Sequence, residues 1–151
     1  MCLAVLFVTF VCPSGFYRKR IMTIANWCIL AACLLPPGTI ALAKAASFRA
    51  ADKKMQYDNN NPRLWESRLT GWQQRANAAQ MNGFEALPLF IAAVILAQQA
   101  HADQSMIDML AASFIGIRVA YTAVYISNMG NLRSIIWFAG LIVCISLLTM
   151  T

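Results

Sequence analysis

The chain has 151 residues, 60% of them hydrophobic and only 12% charged, with a formal net charge of +6. Soluble domains carry about 25% charged residues, so this composition excludes an ordinary soluble domain. It also excludes nucleic acid as the reason for the charge. Seven of the twelve basic residues fall between Lys44 and Arg75, mixed with Asp52, Asp58 and Glu66, and no basic stripe with interleaved aromatics occurs.

The first element in chain order, "MCLAVLFVTFVC", is an apolar run too short to span a bilayer, which takes about 20 residues. Its basic cluster Arg18-Lys19-Arg20 follows the run instead of preceding it, unlike a secretory signal. Residues 1–21 are therefore expected to be a non-native or dispensable extension, with Met22 the natural start of a 22–151 membrane domain.

Four long apolar segments come next and predict an all-α integral membrane protein, a bundle of four transmembrane helices. They run from Ile24 to Ala46, Ala76 to Ala97, Met106 to Ile126 and Ile135 to Met150. Pro36-Pro37-Gly38 is expected to bend or locally break the first. The connection after it is long and polar, with turn chemistry at Asp58-Asn59-Asn60-Asn61-Pro62. The other two are short, so their flanking helices should pack as antiparallel neighbours. The first connection is strongly basic, the second has no lysine or arginine, and the third has Arg133. Loops one and three are thus expected in the cytoplasm. Compact loops and the lack of a cleavable signal suit a bacterial inner membrane.

The five cysteines form no CxxC pair and read as small hydrophobes. His101, the one histidine, reads as a solvated loop residue around which no metal site can be built. Gly116 and Gly140 are expected to permit close helix approach.

The informative residues are ionisable groups inside apolar helices, which cost about 2.5–3.5 kcal/mol at the bilayer centre and face a partner or a wet cavity. On the second span, taking Arg75 as zero, Asn82 falls near −20° and Glu85 near −80°, about one face of the helix. On the third, Arg118, Tyr121 and Tyr125 fall within about 60° of one another. A Glu85–Arg118 ion pair that sets helix register would explain the charges alone. Two hydroxyls stacked beside the arginine point instead to a binding site.

The stretches "RANAAQMNGFEALPLF", "RVAYTAVY" and "NLRSIIWFAGL", with the loop "YDNNNPR" and the following "LTGWQQRA", resemble a small bacterial branch of the MAPEG family. These are the membrane-associated proteins of eicosanoid and glutathione metabolism. The resemblance runs from Met22 to the C-terminus. It implies a homotrimer of four-helix bundles, with glutathione as co-substrate held between subunits by Arg75, Asn82, Glu85, Arg118 and Tyr121. It implies catalytic roles for Arg133, as the thiolate-stabilising arginine, and Tyr125. Ala78 stands where the eukaryotic motif has an arginine, so one carboxylate clamp is missing or supplied by Lys44, Arg49 or Lys53. The expected function is a glutathione transferase or peroxidase acting on lipophilic small molecules from the lipid. The alternatives are a non-catalytic membrane scaffold and a proton-coupled exporter that uses Glu85.

Overall fold

The computed structural model describes residues 22–50, 52 and 56–150. The extension expected over 1–21, and Lys53, lie outside the described residues. Five helices follow in chain order: α1 (Ile24–Ser47), α2 (Pro62–Ser67), α3 (Gly71–Gln99), α4 (Gln104–Ile126) and α5 (Gly130–Leu148). The described residues contain no strand. Four of these helices, α1, α3, α4 and α5, are long and apolar enough to cross a membrane. Their outer surfaces carry large apolar side chains such as Trp27, Leu34, Leu42, Phe138 and Ile142.

Inside, the bundle is held by small residues that let backbones approach. Ala25, Ala32, Ala93, Ala97 and Ala111 are all buried around Phe90 and Phe114, whose rings stack with centroids 4.0 Å apart. In lipid, where apolar burial drives little helix association, such close packing carries the attraction. Among the described glycines the tightest approach is at Gly83 of α3, where an added Cβ would lie 2.7 Å from Cγ of Pro36 on α1. Of the two glycines expected to play this part, Gly116 has no heavy atom within 4 Å of such a Cβ. Gly140 meets only ordinary contacts, Ile117 Cγ2 at 3.5 Å and Phe114 Cε2 at 3.8 Å.

Pro36 and Pro37 do not interrupt α1: of the bend or local break expected, the break does not occur. Each lacks an N–H to donate, yet the helix carries on through both with Pro36 buried against α3. One turn on, the Thr39 hydroxyl donates to the Leu35 carbonyl at 2.9 Å. Pro88 lies within α3, which likewise continues from end to end.

From residue 56 onward the long connection holds more structure than its polarity indicates. Pro62 at the first turn preorganises α2, and Trp65, 3% exposed, packs with Ile40, Ala43, Leu69 and Ala76. Tyr57 sits edge-on to Trp65 and receives a hydrogen bond from Lys44 Nζ at 3.1 Å. The chain enters α3 through Gly71 at φ +58°, left-handed backbone that a side chain disfavours.

At the opposite end Asp108 of α4 accepts from the Ala25 N–H and from Gln104 Nε2, each at 2.8 Å. A carboxylate from a neighbouring helix thus caps the N-terminus of α1, where it also meets the positive end of the helix dipole. Gln98 of α3 donates to the Thr23 hydroxyl at 3.0 Å, and that same oxygen caps Asn26 N–H. Helices α3 and α4 both end in the paired bonds of a Schellman motif. His101 N–H donates to Gln98 O and Ala102 N–H to Ala97 O; Asn128 and Met129 repeat the pattern on Tyr125 and Val124. His101 and Asn128 accordingly take the left-handed position, at φ 59° and 66°.

Candidate functional site

The polar residues of α3, α4 and α5 meet in one continuous chain of contacts. Arg118 Nη2 donates to Asn82 Oδ1 at 3.0 Å, and Asn82 Nδ2 donates to Glu85 Oε2 at 3.1 Å. The Arg118 guanidinium lies 4.5 Å from the centre of the Tyr121 ring. Tyr121 meets Tyr125 edge-on at 5.7 Å, and the Arg133 guanidinium covers Tyr125 at 4.4 Å. The charges at the two ends of the relay do not form a direct ion pair. Asn82, able both to accept and to donate, stands between them.

Helix geometry explains the meeting. Arg118, Tyr121 and Tyr125 recur three and four residues apart, the spacing that stacks side chains on one helix face. Asn82 and Glu85 do the same on α3. Arg118 is 6% exposed and Tyr121 4%, whereas Glu85 is exposed. Arg118 lies eight residues before the end of α4, about 12 Å into the bundle at the helical rise per residue.

A cavity of about 600 Å³ opens beside this ladder, and Asn82, Glu85, Tyr121, Tyr125 and Arg133 line it. Gln74, Asn77, Ala78 and Met81 complete its α3 wall. Its mouth is at the end of the bundle that carries the α2–α3 and α4–α5 connections, since Gln74 and Arg133 each stand in the first turn of their helices. Arg118 stands behind the wall, gripping Asn82 and lying over Tyr121.

Arg75 is not brought to this cavity. Its Nε donates to the Ile126 carbonyl at 2.7 Å, so it holds the C-terminus of α4, where the helix dipole favours a cation. The cavity-facing positions Ala78, Glu85 and Gln74 lie near −60°, −80° and −100°, about 80° round the helix from Arg75. Of the cations considered as replacements for an arginine at 78, Lys44 is engaged with Tyr57 and Arg49 is exposed.

Asn77 and Asp108 escaped the sequence reading. Asn77 falls at the far edge of the polar arc of α3, and a wheel centred on Arg75 hides it. Asp108 follows Gln104 by four residues in the first turns of α4, a spacing that marks a shared face; its acceptor role toward α1 is visible only in three dimensions.

Four apolar spans enclosing buried polar side chains define a multi-pass integral membrane protein. A family model, the MAPEG family, matches residues 24–151. The chain belongs to the MAPEG family. No curated protein and no solved structure matches it.

Proposed function

We propose that the protein is a glutathione-dependent transferase or peroxidase that acts on lipophilic electrophiles delivered by the bilayer. One observation carries this reading: an asparagine and a glutamate, joined by a hydrogen bond and backed by a buried arginine that grips the asparagine, share one open cavity edge with two tyrosines and a second arginine. Glutathione brings two carboxylates, an ammonium and a thiol. Arg133 supplies a guanidinium for a carboxylate or the thiolate, Glu85 an anion for the ammonium, and Asn82 a donor and acceptor in one group. A free thiol has a pKa near 8.5, and a neighbouring cation lowers it into the range where thiolate forms at neutral pH. Tyr125, under the Arg133 guanidinium, offers its hydroxyl at the same mouth. Arg118 acts through Asn82 and Tyr121 as a positioning residue.

The family membership supports a homotrimer, in which a neighbouring subunit would cover the exposed side of Glu85. The basic first connection supports a cytoplasmic mouth. Glutathione titrated into detergent-solubilised protein, followed by calorimetry, tests the reading. Saturable binding is expected at millimolar ligand or below, weakened about tenfold by Tyr125→Phe and by Arg133→Ala, each the loss of one charge-assisted contact. No binding, or equal binding by all three proteins, overturns it.

A second reading rests on Ala78. It lines the cavity where the resemblance leads one to expect an arginine, and Arg75 is spent on α4. This favours a non-catalytic membrane bundle, which predicts a folded trimer with no thiol-dependent turnover of any electrophile.

A further inference from the structure

Helices α1 and α5 both pack on the α3–α4 pair, from opposite sides of it. The polar cavity and the exposed Glu85 lie on the α5 side. On the other side, α1 and α4 leave a groove of about 650 Å³ between them. It runs from Ala31 to Leu42 along α1 and from Ile115 to Ile126 along α4. At the helical rise per residue each wall is about 16 Å long, close to half of a hydrocarbon core of roughly 30 Å. The groove has the depth of a single leaflet.

Its floor asks for no polar partner. The Thr39 hydroxyl donates to the Leu35 carbonyl at 2.9 Å and the Thr122 hydroxyl to the Arg118 carbonyl at 3.0 Å, each within its own helix. Leu34, Leu42 and Val119, all at least half exposed, stand along it. Gly38 leaves a gap in the α1 wall, where an added Cβ would have nothing within 4 Å. The end at Ile126 differs in character, because the Ile126 carbonyl accepts from Arg75 Nε at 2.7 Å. Among the described residues this is the one side-chain hydrogen bond of Arg75, and no carboxylate pairs with it. A guanidinium has five N–H donors, so both Nη groups keep theirs for an acceptor at that end of the groove. Arg49, exposed and seven residues beyond Leu42, follows the same stripe of α1 just past the helix end. No acidic residue lines the groove.

We propose that this groove is a site for an anionic phospholipid, with one acyl chain between α1 and α4 and the phosphodiester at the Ile126 end, held by Arg75. Length, chemistry and charge select this occupant. An acyl chain has the reach of one leaflet, which is the length of the groove. A guanidinium fork matches phosphate oxygens two at a time. The segment from Lys44 to Arg75 holds seven basic residues against three acidic ones, a balance that favours a net negative headgroup over a zwitterionic one. The site is independent of the glutathione reading. In the trimer proposed above, a subunit that covers Glu85 leaves this opposite face to lipid.

Photolabelling in a bilayer tests the proposal. The full chain is reconstituted into phosphatidylcholine vesicles with a trace of phosphatidylglycerol that carries a diazirine midway along one acyl chain. After photolysis the labelled residues are mapped by mass spectrometry. The same diazirine on phosphatidylcholine gives the baseline of ordinary surrounding lipid at every residue. Leu34 and Val119 should take up about tenfold more label from phosphatidylglycerol than from phosphatidylcholine, the scale of one charge-assisted contact. Phe138 and Ile142 of α5, which also face outward, should not distinguish the two lipids. Arg75→Gln, whose amide can still donate to Ile126, should bring the groove to the α5 pattern. Gly38→Leu fills the gap without meeting any protein atom and should remove groove labelling by both lipids, so it carries the test even where Arg75→Gln unfolds. Equal labelling of the groove by the two lipids overturns the proposal, as does a preference that survives either substitution. Absence of groove labelling by both lipids overturns it too, and shows the groove closed by protein.

Discussion

Asn82 is the residue on which the polar ladder turns. It accepts from a guanidinium and donates to a carboxylate at once, which no aliphatic or singly functional side chain of its size can do. Asn82→Ala leaves the buried Arg118 without its acceptor, and should destabilise the folded protein by about 2 kcal/mol, the scale of a lost hydrogen bond to a charged group. Thermal unfolding in detergent would measure this, with Glu85→Gln as the comparison. Because Glu85 is exposed and bonded only through Asn82, that variant should unfold close to the parent. Outside the membrane, Asp58 illustrates the same logic in water. Its carboxylate accepts from the Asn61 side chain at 3.1 Å and the Asn60 N–H at 2.8 Å. The Asn61 bond first, then the Asn60 bond, hold its pKa below the ordinary 3.8. A carboxyl with a lowered folded pKa stabilises the turn above its unfolded value, and that contribution disappears as pH falls from 3.8 through the lower folded value. Amide exchange at Asn60 should therefore lose protection across that acidic window, and Asp58→Asn should remove the dependence.

Among the elements, α1 and α3 meet at one contact too close for any side chain larger than glycine's. Gly83 admits Pro36 at a distance where a Cβ would stand 2.7 Å from a ring carbon. A proline ring has little freedom to yield, so Gly83→Ala must push the helices apart, at a cost of about 1–3 kcal/mol for overpacking. Gly116→Ala should be neutral or slightly stabilising, since nothing lies within 4 Å of the added methyl and alanine favours the helix. Unfolding of the two variants side by side checks the contrast; equal stability would show that the α1–α3 contact is not limiting. Helix existence was legible in the chain because twenty-residue apolar runs have few other fates. Which glycine mattered was not, because the spacing of Gly83, Gly116 and Gly140 says nothing about what faces them. Helix α2 was also hidden: a polar linker with Pro62 announces a turn, and only the packing of Trp65 onto Ile40 and Ala76 reveals an element.

At the scale of the whole molecule, charge and polarity divide the bundle into two ends. One carries the α1–α3 connection, Arg133 and the mouth of the polar cavity; the other carries the network of Asp108, Thr23 and Gln98. The proposed orientation puts the first end in the cytoplasm. In a cysteine-free background, Asn59→Cys and Asn128→Cys should react with an impermeant maleimide only after the cytoplasmic face is exposed, and Gln99→Cys before. The reverse pattern would invert the bundle.

Composition and apolar run length were enough, with no structure, to establish a four-span helical membrane protein, since a backbone in lipid must satisfy its own hydrogen bonds and a helix does so locally. The pairing of Asn82 with Glu85 and of Arg118 with its tyrosines was equally readable, because helical spacing is a local property. Tertiary structure decided the rest. It inserted Asn82 between the two charges, turned Arg75 toward the end of α4, gave Asp108 to the start of α1 and opened an apolar groove between α1 and α4. Each of these depends on how one helix is rotated against its neighbour, a quantity set by the fit of surfaces far apart in the chain.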